Sequence, residues 1–125
     1  MDVGKIKCVE ELEVFKKSHQ LTLNIYHVTD GFPSSEKYGL VTQKRRASAS
    51  IAANLFEGSH RINRKEFRQF AGISKGSAGE MKYHLLLAKD LGYLPDNDYA
   101  VLKNELEEVS KMLNGLIKSL TDYDR

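Results

Sequence analysis

The last third of the chain carries the pattern that most restricts the fold. Tyr99, Leu102, Leu106, Val109, Leu113, Leu116 and Leu120 recur at alternating steps of three and four. A seam of that period belongs to a long helix that buries one face along its whole length, as in bundles and coiled coils. Asp96 stands where an N-cap is expected, and Asp98 falls in the first turn, facing the positive end of the helix dipole. One such helix cannot cover its own seam, so the rest of the chain must supply partners.

Upstream, Phe67, Phe70, Ser74, Ser77, Met81, His84, Ala88 and Leu91 repeat the three-four step in a narrower, more polar seam. Asn63 and Glu66 form a capping-box pair at its start, with Ile62 positioned to staple against Phe67. Gly92 and Pro95 mark its end. An earlier segment places Leu12, Phe15, Ser18, Leu21, Ile25 and Val28 on one side before Gly31 and Pro33 stop it, and another runs from Ser35 to the vicinity of Gly58 and His60. The spacing therefore predicts an all-α chain with helices over approximately 10–29, 35–59, 64–91 and 97–121. Nothing alternates with period two, so no strand is expected. Matched helices joined by short connections predict an antiparallel up-down-up-down four-helix bundle. A chain of 125 residues supports one such domain, 1–125.

Several function classes have no support. The lone Cys8 excludes an internal disulfide, no secretory leader is visible, and a reducing cytoplasm is the expected compartment. The densest apolar run, Leu85-Leu86-Leu87-Ala88, is far short of the roughly 20 residues that span a bilayer. Glu57 and His60 have the Glu-x-x-His spacing of di-iron bundles, yet that chemistry needs a second such pair, and Glu80 and His84 are four apart. His19, His27 and His84 show no zinc-ligand spacing with Cys8. Neither a Gly-x-Ser-x-Gly elbow nor a Gly-rich phosphate loop is present. The expectation is a non-enzymatic protein with no cofactor and no catalytic or metal site.

The second helix departs from simple amphipathicity. At 100° per residue, Gln43, Ser50, Asn54 and Arg61 share one line, with Arg46 and Glu57 to one side. Leu40, Ala47, Ile51 and Leu55 occupy one flank, while Val41, Ser48, Ala49, Ala52 and Phe56 occupy the other. A helix apolar or small on two sides needs two partners, one of which can be a second subunit; equally, Ala and Ser are tolerable surface helix residues. Gly72, Gly76 and Gly79 each cost about 1 kcal/mol relative to Ala in a helix interior. Close packing or a local kink would account for them.

Net charge is +2, but residues 36 to 75 carry nine Lys/Arg against three Asp/Glu, leaving ten against fourteen elsewhere. The middle is +6 and the remainder −4, an imbalance that can serve a polyanionic partner. Lys44, Arg45 and Arg46 point in different directions on a helix. His60, Arg61, Arg64, Lys65 and Arg68 gather around one turn and helix start, where side chains and free N–H groups can meet phosphates of RNA or DNA. The competing reading makes Gln43, Arg45, Arg46, Ser50, Asn54 and Glu57 an intrahelical or intersubunit network, with Arg46 reaching Ser50 and Glu57 pairing with Arg61.

One set of residues resembles a known family. Tyr38-Gly39-Leu40, Gln43, Arg45-Arg46-Ala47, Ser50-Ile51, Asn54, Glu57-Gly58, Arg61, Lys65-Glu66-Phe67 and Phe70 form its central block. Gly76-Ser77, Glu80, Leu85, Ala88 and Leu91-Gly92-Tyr93-Leu94 extend it, as do Leu12, Phe15 and Ile25-Tyr26. The pattern is similar to the bacterial four helix bundle proteins, many of them encoded by intervening sequences within large-subunit ribosomal RNA genes. The resemblance implies a four-helix protomer assembled as a ring-like homopentamer. It also implies kinship with the accessory variability determinant of diversity-generating retroelements, which binds nucleic acid and a reverse transcriptase. An oligomeric scaffold binding RNA or DNA by phosphate contacts is the expected function. A structural oligomer docking a reverse transcriptase-like protein, without touching nucleic acid itself, is the alternative. Lys44 departs from the family, which has an apolar residue there. Ala52 stands where the family has Pro, and Leu55-Phe56 where it has Ile-Ala.

Overall fold

A computed structural model describes residues 12–36 and 39–123. Four helices account for nearly all of them: α1 Glu13–Thr29, α2 Leu40–Ser59, α3 Arg64–Asp90 and α4 Asp96–Tyr123, with a short 3-10 turn at Ser34–Glu36. No strand occurs among the described residues. Each helix packs on its chain neighbours, and α1 closes the bundle against α4. The expected all-α four-helix bundle is the observed one. No helix among the described residues is long and apolar enough to cross a membrane.

The α4 seam is as the spacing predicts, with Leu102, Leu106, Val109, Leu113, Leu116 and Leu120 all buried. In α3 the expected seam is half right. Phe67, Ser74, Met81 and Ala88 are buried, but the alternate positions are Ala71, Ala78 and Leu85 rather than Phe70, Ser77 and His84. The steps run four then three instead of three then four. Packed between α2 and α4, α3 turns its small residues inward where the helices approach closely, leaving Phe70, Ser77 and His84 half-buried at the α2 boundary.

The helix ends explain most boundary differences. Leu12 is extended, with φ −69° and ψ 131°, so α1 starts at Glu13 rather than near residue 10; residues 10 and 11 lie outside the described residues, as do Cys8 and Tyr38. The segment after α1 does not enter α2 at residue 35. Phe32 is buried beside Tyr93, ring centroids 5.9 Å apart, and the Tyr93 hydroxyl donates to Glu36 at 3.3 Å. Delivering Phe32 to that spot takes a turn, and α2 begins only after Gly39 leaves helical dihedrals (φ −107°, ψ −100°). Asn63 caps α3 as expected, its side chain accepting from the Glu66 N–H at 2.9 Å. The staple does not form: Ile62 is 98% exposed. At the other end, Gly92 has φ 80°, Tyr93 N–H reaches Ala88 O and Gly92 N–H reaches Lys89 O, both at 2.9 Å. This is a Schellman motif, and it swings Leu94 into the core. Tyr99 N–H bonds the Pro95 carbonyl, so Asp96 is not the cap but lies inside the first turn, still favourable to the dipole.

Both flanks of α2 are largely covered within one protomer. Ser74 Oγ donates to Ile51 O at 2.8 Å from the α3 side, and Thr22 Oγ1 donates to Ser48 O at 3.1 Å from the α1 side. Val41, Ser48 and Ala52 are buried on the α1 side; Leu40, Ala47, Ile51 and Leu55 are buried too. The two partners that the sequence required are therefore α1 and α3. The tightest approach is at Gly58, where an added Cβ would lie 2.7 Å from Phe70 Cβ and 3.0 Å from Phe67 Cδ1. Gly58→Ala should lower unfolding free energy by about 1–3 kcal/mol in urea titrations, the usual cost of overpacking, with helical circular dichroism retained.

Candidate functional site

The residues expected to meet phosphates sit at the α2–α3 turn, and most are already occupied. Arg61 Nη2 is 2.7 Å from Glu57 Oε1, the expected i,i+4 pair, and its guanidinium lies over the Phe70 ring at 4.7 Å. His60 packs on Phe56 with centroids 4.9 Å apart, and its Nδ1 is 2.8 Å from the Phe56 carbonyl oxygen, to which the Nδ1–H tautomer donates. Arg64 and Arg68 are half-buried and hold interactions of their own, whereas Lys65 is exposed. The turn thus forms a basic corner in which His60 and Arg61 are oriented by Phe56 and Phe70.

The polar stripe is split by the fold. Ser50 and Ser77 hydroxyls are 2.8 Å apart across α2 and α3, and Asn54 Nδ2 donates to the Ser50 carbonyl (2.8 Å) and hydroxyl (2.9 Å). Gln43, Arg46, Ser50, Ser77 and Glu80 line a polar cleft of about 250 Å³ between these helices. Arg46 does not bond Ser50, whose hydroxyl is engaged by Ser77 and Asn54; Arg46 is exposed at the cleft rim.

Arg45 is not part of that stripe. It crosses to α1, donating from Nε to Thr29 Oγ1 (2.9 Å) and from Nη2 to the Tyr26 carbonyl (3.2 Å) and Asp30 Oδ1 (2.7 Å). Its guanidinium also lies 4.7 Å from the Tyr26 ring centroid. A cation there satisfies the end of α1 and favours its negative dipole terminus.

Glu57 and His60 do not converge. One carboxylate pairs with Arg61, and His60 is the C-cap of α2. His84 Nε2 is 3.2 Å from Glu80. Among the described residues, no three His, Cys, Asp or Glu side chains are grouped to hold a metal ion.

Two features lie outside the residues singled out from the sequence as sites. Phe15, His19 and Thr22 of α1 and Ala49, Ala52, Ala53 and Phe56 of α2 line an apolar groove of about 440 Å³, with Phe56 exposed on its wall. It lies on the second flank of α2, where α1 leaves a part uncovered. The other is Lys44. The resemblance implies an apolar residue at this position but says nothing of the depth of the lysine: it is 1% exposed, its amine donates to the His84 carbonyl, and the Phe32 ring lies 5.8 Å away. Burial lowers its pKa from 10.5 to about 8.

The profile of the 23S rRNA-intervening sequence protein family matches residues 10–115. The chain belongs to that family. Among solved structures, it is similar to a protein with unknown function from the S23 ribosomal protein family of Bacteroides thetaiotaomicron VPI-5482. The two are 26% identical, the match covers 84% of this chain and 98% of that one, and the TM-score is 0.76. No protein of curated function matches. The two proteins share the fold.

The sign of the Lys44 effect follows from its depressed folded-state pKa. Between pH 8 and 10.5 the unfolded chain holds the proton that the folded chain has released, so stability rises with pH through that window and is level below it. Lys44→Met should abolish this slope in urea titrations at several pH values. At pH 7 it should raise unfolding free energy by an amount on the order of 1–3 kcal/mol.

Proposed function

We propose that the protein is a non-enzymatic, homo-oligomeric scaffold that binds the phosphate backbone of RNA or DNA at the α2–α3 corner. The supporting observation is the concentration of His60, Arg61, Arg64, Lys65 and Arg68 at one end of the bundle, within nine residues that contain a single carboxylate, Glu66. Arg61, held by the Phe70 ring and Glu57, is pre-oriented, and a guanidinium with one edge engaged keeps other donors for a phosphate. Repetition of the corner around an oligomer, a ring of five in the family resemblance, would sum weak contacts through multivalency.

Self-association is best served by the groove between α1 and α2. Phe15 and Phe56, ring centroids 6.2 Å apart, flank small residues Ala49, Ala52 and Ala53, a shape suited to side chains from another copy. The second reading is a structural oligomer that docks a reverse transcriptase-like protein without contacting nucleic acid. The Glu57–Arg61 pair favours it, because that cation is partly neutralised inside the protomer.

Filter binding across salt concentrations separates the two readings. Affinity should fall linearly on a log–log plot, and Arg64→Ala/Lys65→Ala/Arg68→Ala should weaken binding at least tenfold and flatten the salt slope by roughly two to three units, with oligomer mass unchanged. No binding at low salt sinks the nucleic-acid reading; disrupted assembly in the triple variant favours the structural one. Independently, Phe56→Glu should reduce the mass seen by light scattering while leaving the helical spectrum intact.

A further inference from the structure

The polar cleft between α2 and α3 holds hydrogen-bonding capacity that the protomer does not use. Its lining is Gln43, Arg46, Ala47 and Ser50 of α2 with Ser77 and Glu80 of α3, and Ala47 is its buried apolar element. Two contacts between the helices bracket it. The Ser50 and Ser77 hydroxyls meet at one end, and at the other the Lys44 amine donates to the His84 carbonyl. In that antiparallel register Arg46 and Glu80 stand on opposite walls, less than about one helical turn apart along the axis.

The unused groups are sorted by helix. On α2, the side chains of Arg46 and Gln43 make no hydrogen bond or ion pair among the described residues. The Ser50 hydroxyl accepts from Asn54 Nδ2 and shares one hydrogen bond with Ser77. Two hydroxyls joined by one bond leave one O–H hydrogen without an acceptor among the described residues, a further donor at the cleft. On α3, Glu80 Oε1 is 3.2 Å from His84 Nε2. His84 Nδ1 is buried with no partner among the described residues, so the ring hydrogen belongs on Nε2, where Glu80 accepts it. The second carboxylate oxygen of Glu80 stays open. Donors on one wall therefore face a carboxylate on the other, yet Arg46 and Glu80 form no ion pair. An anion alone would satisfy Arg46 and be repelled by Glu80, and an amine alone would meet the reverse. One molecule carrying both charges answers both walls. The volume of about 250 Å³ equals roughly eight waters at ~30 Å³ each, which sets the ligand at a similar number of non-hydrogen atoms.

We propose that the α2–α3 cleft binds a small zwitterion of the α-amino-acid type. Its carboxylate is forked by the Arg46 guanidinium, with the Gln43 amide and a serine hydroxyl donating alongside, and its ammonium donates to Glu80. The site uses none of the cations of the α2–α3 corner and does not rest on phosphate binding there. Because such a ligand bridges two helices of the folded chain only, it stabilises the fold in proportion to its occupancy.

The test titrates the full chain, labelled for amide NMR, with L-alanine, N-acetyl-L-alanine, L-alaninamide and inorganic phosphate. L-Alanine should shift the amides of Ala47, Ser50, Ser77 and Glu80 and bind at least tenfold more tightly than the other three. Arg46→Gln and Glu80→Gln, both at exposed positions, should each weaken it at least tenfold with the helical spectrum unchanged. Arg64→Ala/Lys65→Ala/Arg68→Ala should leave it unaltered, whatever that variant does to nucleic-acid affinity. The proposal is overturned if L-alanine gives no shifts up to its solubility limit, or if they map elsewhere. It is overturned equally if N-acetyl-L-alanine, L-alaninamide or phosphate binds as well as L-alanine, or if either single variant binds like the parent. Shifts of the same amides with protein concentration alone would assign the cleft to a subunit contact and also overturn it.

Discussion

The close seating of α2 between α1 and α3 is the constraint on which the rest of the structure depends. The helix can be approached on two sides because its inner residues are small or their polar groups are answered. Ser74 and Thr22 donate to α2 carbonyls from opposite neighbours, and Gly58 leaves no room for a β-carbon beside Phe67 and Phe70. Buried hydroxyls that are hydrogen-bonded avoid the desolvation penalty that would otherwise keep helices apart. The α3–α4 turn then closes the bundle through Gly92 and Leu94, while Phe32 plugs the same end from the α1–α2 connection.

Lys44 shows how much tolerance this arrangement has. An amine in the α2–α3 interface gains one carbonyl partner and an aromatic neighbour, and no described carboxylate pairs with it. A hydrophobic residue would do the same packing without the desolvation cost, which accounts for the apolar preference at this position implied by the family resemblance. The long methylene stem of lysine offsets part of that cost by filling the core as an aliphatic chain.

The candidate functional features lie on the faces that the core leaves over. A basic corner at the α2–α3 turn and an apolar groove between α1 and α2 adjoin through Phe56, which walls the groove and packs on His60. Function in such a protein resides in those surfaces, since the fold itself specifies none of it.

Periodicity and end signals made most of the fold legible. The α4 seam, the Asn63 cap and the Gly92 terminus all depend on residues close in sequence, where spacing maps directly onto geometry. The site was less legible. His60, Arg61, Arg64, Lys65 and Arg68 could be assigned to one turn from their numbers alone, but not the fact that Arg61 is stacked on Phe70 or that Arg45 reaches back to the end of α1. The polar stripe likewise read as one line on α2, although Arg45 faces α1 and Ser50 faces Ser77. Local chain statistics established that there are four helices, where they end and which residues carry charge. Which neighbour each side chain meets depended on how those helices were rotated about their axes, and a step of four instead of three at Ala71, Ala78 and Leu85 was enough to change it. That rotation is set by simultaneous packing against two other helices, a condition that no single periodic segment contains.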